Sequence, residues 1–520
     1  MDAPPLTPTT WFLAFTPIAV VLVLMVGLRW GGKKAGPVGW LTALVVAALF
    51  FGAGPEVLLV SQLRGVLLSL YVLYIIWMAL ALYRVVDEAG AIAVIGRGIA
   101  RLTAEPTMQL LLLAWAFSAF LQGVAGFGVP IAVVAPLLIG LGFAPVVAVA
   151  AVAIGHSWSV TFGDIASSFQ ALMAATGLPG EVLAPWSAAF LGVAVFGCGL
   201  AAAWAFRGRA SLRKGWLALP IMGGVMAGVQ AGLALSGLWS LAGFGAGLAG
   251  LAVGALIARL PTYQVQGSRP AGFPTADDRP SLPVALAPYL LLIVVVTAAE
   301  LWPWLHGTLN KVQVQISFPQ VQTAYGWTTP AGYGRRISLF GHAGALLAYV
   351  SLAAFFFYRR KGCYGPGVGR RIVEQTVRSA VPASIGILTM VGMAVIMDHS
   401  GMTYILAAGL SRAAGPLYPL VSPFIGLLGA FMTGSNTNSN VVFGPLQQQA
   451  ATLLGISTPV ILAAQTTGGS LGSMLAPAKI IVGCSTAGLA GQEGQVLKKT
   501  LLPGVLIAGV IGVLAWLATA

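Results

Sequence analysis

The sequence predicts an all-α polytopic membrane protein: two inverted-topology repeats with re-entrant hairpins and broken helices, about 12 to 14 membrane segments in all. Three observations carry this reading. The chain is apolar along its whole length, its positive charge is confined to short stretches between apolar runs, and it repeats itself at a nearly fixed interval.

Of the 520 residues, 58% are hydrophobic and 8% charged, and the mean hydropathy is +0.91. Apolar runs of about 18 to 22 residues recur throughout, the length an α-helix needs to cross a hydrocarbon core of about 30 Å. A net charge of +14 raises the question of nucleic acid, but a nucleic-acid binder gathers its basic residues on a soluble face or arm. Here residues 29–34, 84–101, 207–214, 259–279, 359–378 and 498–499 hold 21 of the 27 Lys and Arg residues, all between apolar segments. The positive-inside rule makes these stretches cytoplasmic and excludes nucleic acid as a partner; lipid surrounds the rest. Cys198, Cys363 and Cys484 have no ligand-like spacing and an odd count, so neither a disulfide framework nor a zinc site is expected.

Residues 11–28, 38–53 and 65–83 are the first three crossings. Met1 to Pro5 carry no basic n-region, so the run from Trp11 to Leu28 reads as a retained span with an extracytoplasmic N-terminus. Residues 84–105 place Arg97 and Arg101 among Gly90, Gly96, Gly98 and apolar neighbours, an amphipathic arm on the cytoplasmic surface. The chain re-enters at 108–122. Gly123, Gly126, Gly128, Pro130, Pro136, Gly140, Gly142 and Pro145 then interrupt it, so 122–165 reads as a re-entrant and broken region. Crossings resume at 185–206, 217–235, 239–258, 284–304, 339–358 and 380–397, leaving 305–338 outside. The stretch 261–283, punctuated by Pro261, Pro270, Pro274, Pro280 and Pro283, is a cytoplasmic linker between a first half, 1–260, and a second half, 284–520. A second broken region spans 433–480, and the C-terminus is extracytoplasmic like the N-terminus.

The repeat ties these elements together. Asp87, Gly90, Arg101, Phe120 and Gly123 recur as Asp398, Gly401, Arg412, Phe431 and Gly434, each 311 positions later (398 − 87, and likewise for the rest). Leu141-Gly142, Pro145, Gly155 and Ile165 recur as Leu454-Gly455, Pro459, Gly469 and Ile480, with the interval drifting as small insertions accumulate. The charge pattern puts the first arm inside and the second outside. The repeats are therefore inverted, the architecture in which substrate sits near the midplane between discontinuous helices. Asp87 and Asp398 begin the two arms, where an acid suits a helix N-terminus as a cap.

Backbone freed by a broken helix survives at membrane depth only beside protein or a wet cavity, and its free N–H groups attract anions. Thr433-Gly434-Ser435-Asn436-Thr437-Asn438-Ser439-Asn440 sets seven uncharged hydrogen-bonding side chains inside apolar flanks. Such groups can grip a carboxylate and a neighbouring 2-hydroxyl without a fixed charge that would trap the substrate. Gln122-Gly123-Val124-Ala125-Gly126-Phe127-Gly128 permits close backbone approach, or else close helix packing. Ionisable groups inside spans are costly and tend to be functional: His156, Asp164 and Lys479 are the short list, with Glu56, Glu181 and Glu300 nearer predicted ends. Asp164 and Lys479 occupy equivalent positions in the two repeats with opposite charge. They face each other across a transport site, Lys479 drawing the carboxylate while Asp164 balances it or carries a proton, or they form a fixed structural pair. His156 is either a proton-exchanging group or a hydrogen-bonded packing residue.

Three blocks resemble the L-lactate permease family: Phe120 through Gly128, Gly429 through Asn440, and Thr466-Thr467-Gly468-Gly469 running on to Gly488-Leu489-Ala490-Gly491-Gln492-Glu493, with Pro288-Tyr289-Leu290 between them. The resemblance implies transport of lactate and glycolate coupled to protons. Taken with the reading of the residues, Gln122, Gly126, Phe127, Gly128, Ser435 to Asn440, Thr467, Gly468, Gly469 and Lys479 are expected at the substrate, with Asp164 and His156 as the protein's own proton-coupling candidates. Ser435-Asn436-Thr437 also resembles a run in the wider superfamily of dicarboxylate and citrate carriers, which implies paired hairpins, a homodimer and elevator-like motion. The sequence departs from the family's pattern in having Gln122 for a usual Glu, Asn436 for Asp, His156 for Asn and Ser473 for Lys. Two familiar acids are therefore missing, and the proton must use another group, or sodium takes its place. The alternative is a sodium-coupled di- or tricarboxylate carrier, and a further one a non-transport membrane protein. A channel would show a continuous polar pore or charged rings. No nucleophile motif, metal cluster, cofactor-binding loop or Walker sequence is present, so neither an enzyme, a cofactor nor a primary pump is expected.

Overall fold

The structure, a computed structural model, describes residues 5–28, 30–126, 128–264, 280–489 and 491–519. Among them are eleven helices long and apolar enough to cross a membrane. Two of these, Pro106–Val124 and the run Met402–Thr433, belong to hairpins or arms and do not cross. Nine remain, and Ala343–Arg360 and two broken helices bring the candidate crossings among the described residues to twelve; the sequence led us to expect about 12 to 14 membrane segments.

The repeats match helix for helix. Repeat 1 runs through a long helix Pro55–Glu88, an arm Ala91–Ala100 and a hairpin whose halves are Pro106–Val124 and Val129–Gly140. A broken helix, Pro145–Ser157 then Gly163–Thr176, and a closing crossing Gly180–Arg207 complete it. Repeat 2 gives Val368–His399, Met402–Ala414, Tyr418–Thr433 with Asn436–Leu454, Thr458–Gly472 then Pro477–Thr486, and Glu493–Thr519. Gly90 and Gly401 both turn the chain into its arm in the left-handed region, at φ 73° and 82°, a conformation glycine adopts without steric cost.

The two long helices pack antiparallel, which demonstrates the inversion directly. Glu88 at the end of the first meets Arg371 near the start of the second at 3.2 Å. Further along, Arg84 donates to Ser379 Oγ at 3.2 Å and Trp77 Nε1 to Ser384 Oγ at 2.9 Å. At the other end a Cβ on Gly65 would lie 3.3 Å from the Gly392 backbone. Small residues let the backbones approach so closely.

These two helices, with the N-terminal helices Pro8–Leu22 and Gly32–Phe50, form a scaffold layer around one apolar core, to which the second arm and second hairpin also contribute Met402, Ile405, Phe443 and Leu446. The hairpins, broken helices and closing helices form a second layer, most of it around another core. Phe12, Leu49, Trp204, Val294 and Leu502 are among the large apolar side chains left exposed at the periphery, as expected of a protein whose outer solvent is lipid.

Several boundaries differ from the expectation. The third crossing begins at Pro55 rather than 65 and runs on to Glu88, so Arg84 belongs to it and the arm is only Ala91–Ala100. Asp87 and Asp398 do not cap the arms with their side chains; they end the long helices. Their carbonyls accept from Gly90 N at 2.8 Å and Gly401 N at 3.2 Å, and the Asp398 carboxylate accepts from Gln449 at 3.1 Å. Residues 313–338 are a nested antiparallel ribbon of three two-residue strand pairs, Gln313–Val314 with Ile337–Ser338 outermost, where only a loop was expected. Of the linker, 265–279 lies outside the described residues; Pro261–Tyr263 forms a single 3₁₀ turn, and the next crossing starts at Leu282.

Candidate functional site

The first broken helix stops at Ser157 because its next turns hydrogen-bond elsewhere. The Thr161 backbone N–H donates to Ser470 Oγ of the other repeat at 3.1 Å, and the chain resumes at Gly163, where a Cβ would lie 2.8 Å from the Gln122 carbonyl oxygen. Only glycine allows this approach to the first hairpin. Asp164, Ile165 and Ala166 then hold left-handed backbone, φ 52°, 52° and 59°, which costs L-residues about 1–2 kcal/mol each. The turn is held from several sides. Ser167 Oγ donates to Asp164 Oδ2 at 3.2 Å, a Cβ on Gly126 would lie 3.4 Å from the Asp164 Cβ, and Gln170 Nε2 donates to Ile165 O at 3.2 Å.

In the second hairpin Gly434 takes a left-handed φ of 71° and ends the first half. Ser435 caps the second half, its Oγ accepting from Asn438 N at 3.3 Å. This turn, the second broken helix and the break of the first helix meet. Asn436 Nδ2 donates to Thr161 Oγ1 at 3.1 Å and Thr466 O at 3.3 Å. Asn440 Nδ2 donates to Ser168 O at 2.9 Å and Thr466 Oγ1 at 2.8 Å. The Thr437 and Ser168 hydroxyls lie 3.0 Å apart, and Ser470 Oγ donates to Ser157 O at 2.7 Å. All of these residues but the capping Ser435 are buried.

The network is unfinished in one place. Gln122 Oε1, Asp164 Oδ1, Asn436 Oδ1, Asn438 Oδ1, Thr467 Oγ1 and Ser473 Oγ are buried without a partner. Leaving a buried polar atom unpaired costs about 1–3 kcal/mol; Gln122 and Asp164 meet at Gly126 and Asn438 shares a cavity with Lys479, so these unpaired atoms beside the helix breaks offer bonds that a polar ligand can complete.

Lys479 lies beside this cluster in the first turn of Pro477–Thr486, 7% exposed. Its Cγ is 4.0 Å from the position of a Cβ on Gly128. Among the described residues it forms no ion pair with Asp164, whose Oδ2 accepts from Ser167 Oγ. His156 is fully buried, with Nδ1 on Val152 O at 2.6 Å and Nε2 unpartnered.

A cavity of about 560 Å³ leads from the basic face to this point, lined by Lys33, Lys34 and Arg84 at its mouth and by Ser435, Asn438 and Lys479 at its floor. Low-dielectric walls around charges of one sign focus the field and draw in anions.

The other predicted residues fall in distinct places. Gly126 lies against Gln122 and Asp164, and Gly128 turns the first hairpin at φ 85°. Gly468 packs on the Pro423 carbonyl and Gly469 on the Asn436 side chain, so close that neither tolerates a Cβ. Ser439 bonds to Gly426 O and Gln465 within its own repeat. Phe127 lies outside the described residues. Thr161, Ser168, Thr466 and Ser470 complete the network and were not singled out from the sequence as site residues; the polar run Thr466–Ser470 inside an apolar helix is a signal that could have found half of them.

An inverted membrane fold whose broken helices meet around unfinished polar bonds, beneath a charged funnel, defines a membrane transporter. Its family model places it: the L-lactate permease model matches residues 10–520, and the chain belongs to the L-lactate permease family. It is 26% identical to the glycolate permease GlcA of Escherichia coli, over 97% of this chain and 95% of that one. It is 27% identical to the L-lactate permease of Bacillus subtilis, over 98% of both. A solved structure, the YdaH transporter of Alcanivorax borkumensis, aligns with 86% of this chain and 84% of its own at 14% identity and a TM-score of 0.45.

Proposed function

We propose that the protein is a secondary transporter of small monocarboxylates, L-lactate with D-lactate and glycolate, driven by proton symport through alternating access of elevator type. It resides in the cytoplasmic membrane with both termini extracytoplasmic. The observation that carries this reading is the unfinished polar cluster beside Lys479. A 2-hydroxy carboxylate offers what the site needs: its carboxylate pairs with the Lys479 ammonium, while its 2-hydroxyl donates to the unpartnered amide oxygen of Asn438, which lines the same cavity. One fixed cation matches one carboxylate, which favours monocarboxylates over di- and tricarboxylates. The relatives named above are lactate and glycolate permeases and lend the sodium-coupled dicarboxylate reading no support. With Gln122 and Asn436 uncharged, Asp164 is the carboxylate at the site able to carry the proton, and His156 stands behind it.

Uptake of radiolabelled L-lactate into proteoliposomes tests this, with an imposed proton gradient compared against an imposed sodium gradient. Accumulation is expected under the proton gradient, with glycolate competing and succinate not. Uptake driven by sodium and competed by succinate would reverse the assignment.

A further inference from the structure

A second charged cavity, about 200 Å³ in volume, lies on the face that carries the ribbon. Asn438 lines the funnel and Pro445 lines this cavity. Val441, which also lines this cavity, and Pro445 are three and seven positions after Asn438 on one helix, roughly 4.5 and 10 Å along it, so a thin layer containing Asn440 separates the two spaces.

The wall carries more positive than negative groups. Arg64, from the long helix Pro55–Glu88, lies over the Phe318 ring at 5.1 Å. It donates through Nη2 to Pro330 O at 3.3 Å, and its Nε is buried without a partner. Arg335, from the ribbon, lies over the Tyr71 ring at 4.6 Å and donates to Tyr71 OH at 3.3 Å. His399 is 5% exposed; its Nδ1 is on Val395 O at 2.9 Å and its Nε2 has no partner. Among the described residues Asp398 is the one acid on this wall, and one of its oxygens is taken by Gln449.

We propose that Arg64 and Arg335 form an outer docking site for the substrate's carboxylate, with His399 Nε2 beside it, across that layer from Lys479. The site rests on the monocarboxylate reading above. A guanidinium fork matches a carboxylate in shape and charge, and the cavity volume admits a small carboxylate. The site also reaches the strained turn: Tyr71 OH donates to Gln170 Oε1 at 2.9 Å, and Gln170 Nε2 donates to Ile165 O. A carboxylate that draws Arg335 from Tyr71 acts on the first link of that chain.

Counterflow of L-lactate in proteoliposomes of defined orientation tests the site, with substrate offered from the ribbon face or from the opposite face. Arg64→Gln and Arg335→Gln are expected to raise KM from the ribbon face about tenfold, the effect of losing one charge-assisted hydrogen bond, and to leave KM from the opposite face unchanged. Arg336→Gln, an exposed neighbour that does not line the cavity, should change neither. If Arg335→Gln fails to reach the membrane, Arg335→Lys replaces it; keeping the charge without the fork, it should give a smaller rise confined to the same face. Unchanged KM at both faces, or an equal rise at both, overturns the outer site. If the unmodified protein moves no monocarboxylate from either face, the transport reading fails and the outer site with it.

Discussion

At the scale of single residues, Lys479 and Asp164 have separable duties that transport can distinguish. Lys479→Met removes the cation at the central cluster and should raise KM for L-lactate by about 10- to 100-fold, which a concentration series of uptake would show. Asp164→Asn should abolish proton-driven accumulation yet preserve lactate–lactate exchange, because exchange needs no net proton movement. Loss of exchange together with accumulation would assign Asp164 to the architecture of the turn instead. The run from Ser435 to Asn440 was legible in the sequence because polar side chains amid apolar flanks have no other reason to be there. Thr161 and Ser168 were not, since a hydroxyl in a helix ordinarily bonds its own preceding turn and is mute until its neighbour is known. Arg64 was missed for a different reason: the apolar run begins at Gly65, so a boundary drawn on hydropathy left the arginine outside a helix that begins at Pro55. A long side chain can sit within a span when protein rather than lipid surrounds it.

At the scale of elements, glycines decide how closely the broken helices approach the hairpins. A Cβ on Gly155 would collide with the Ala114 carbonyl, and one on Gly472 with the Leu427 carbonyl. Backbone cannot swing aside as a side chain can, so Gly155→Ala should destabilise the protein by about 1–3 kcal/mol, as overpacking does. Thermal unfolding in detergent should show a lower midpoint. Gly224→Ala, with open space around its Cβ and a helical backbone, should hold or slightly raise the midpoint. Equal midpoints for the two variants would contradict the packing argument. Most helices were visible in advance because a membrane span announces itself by length and hydropathy. The ribbon at 313–338 was not, because strands of two residues show no alternation to read. Its outermost pair is closed by long-range pairing of Gln313 with Ser338, and Trp327 anchors it to the repeat by donating to Asp398 O at 3.0 Å.

At the scale of the whole molecule, the inversion was readable from charge and internal recurrence, whereas the division into two layers was not, because it depends on which faces meet across hundreds of residues. The long helices Pro55–Glu88 and Val368–His399 hold each other along their length, while their contacts with the layer of hairpins and broken helices include a few specific polar links. Tyr71 to Gln170 is one of these, 2.9 Å across the boundary. Elevator motion requires that boundary to slide while each layer stays intact. In a background with Cys198, Cys363 and Cys484 replaced by Ala, Tyr71→Cys with Gln170→Cys joined by a short bis-maleimide should therefore arrest lactate uptake almost completely. Uptake by the same double-cysteine protein before cross-linking sets the baseline, because Tyr71 and Gln170 also hold Arg335 and the strained turn. A second tether placed inside the scaffold, Trp77→Cys with Ser384→Cys, whose native side chains are 2.9 Å apart, should leave transport intact because those helices move together. Arrest by both tethers would point to rocking of the long helices instead, and continued uptake with the first tether fully formed would mean that the substrate passes without the layers sliding.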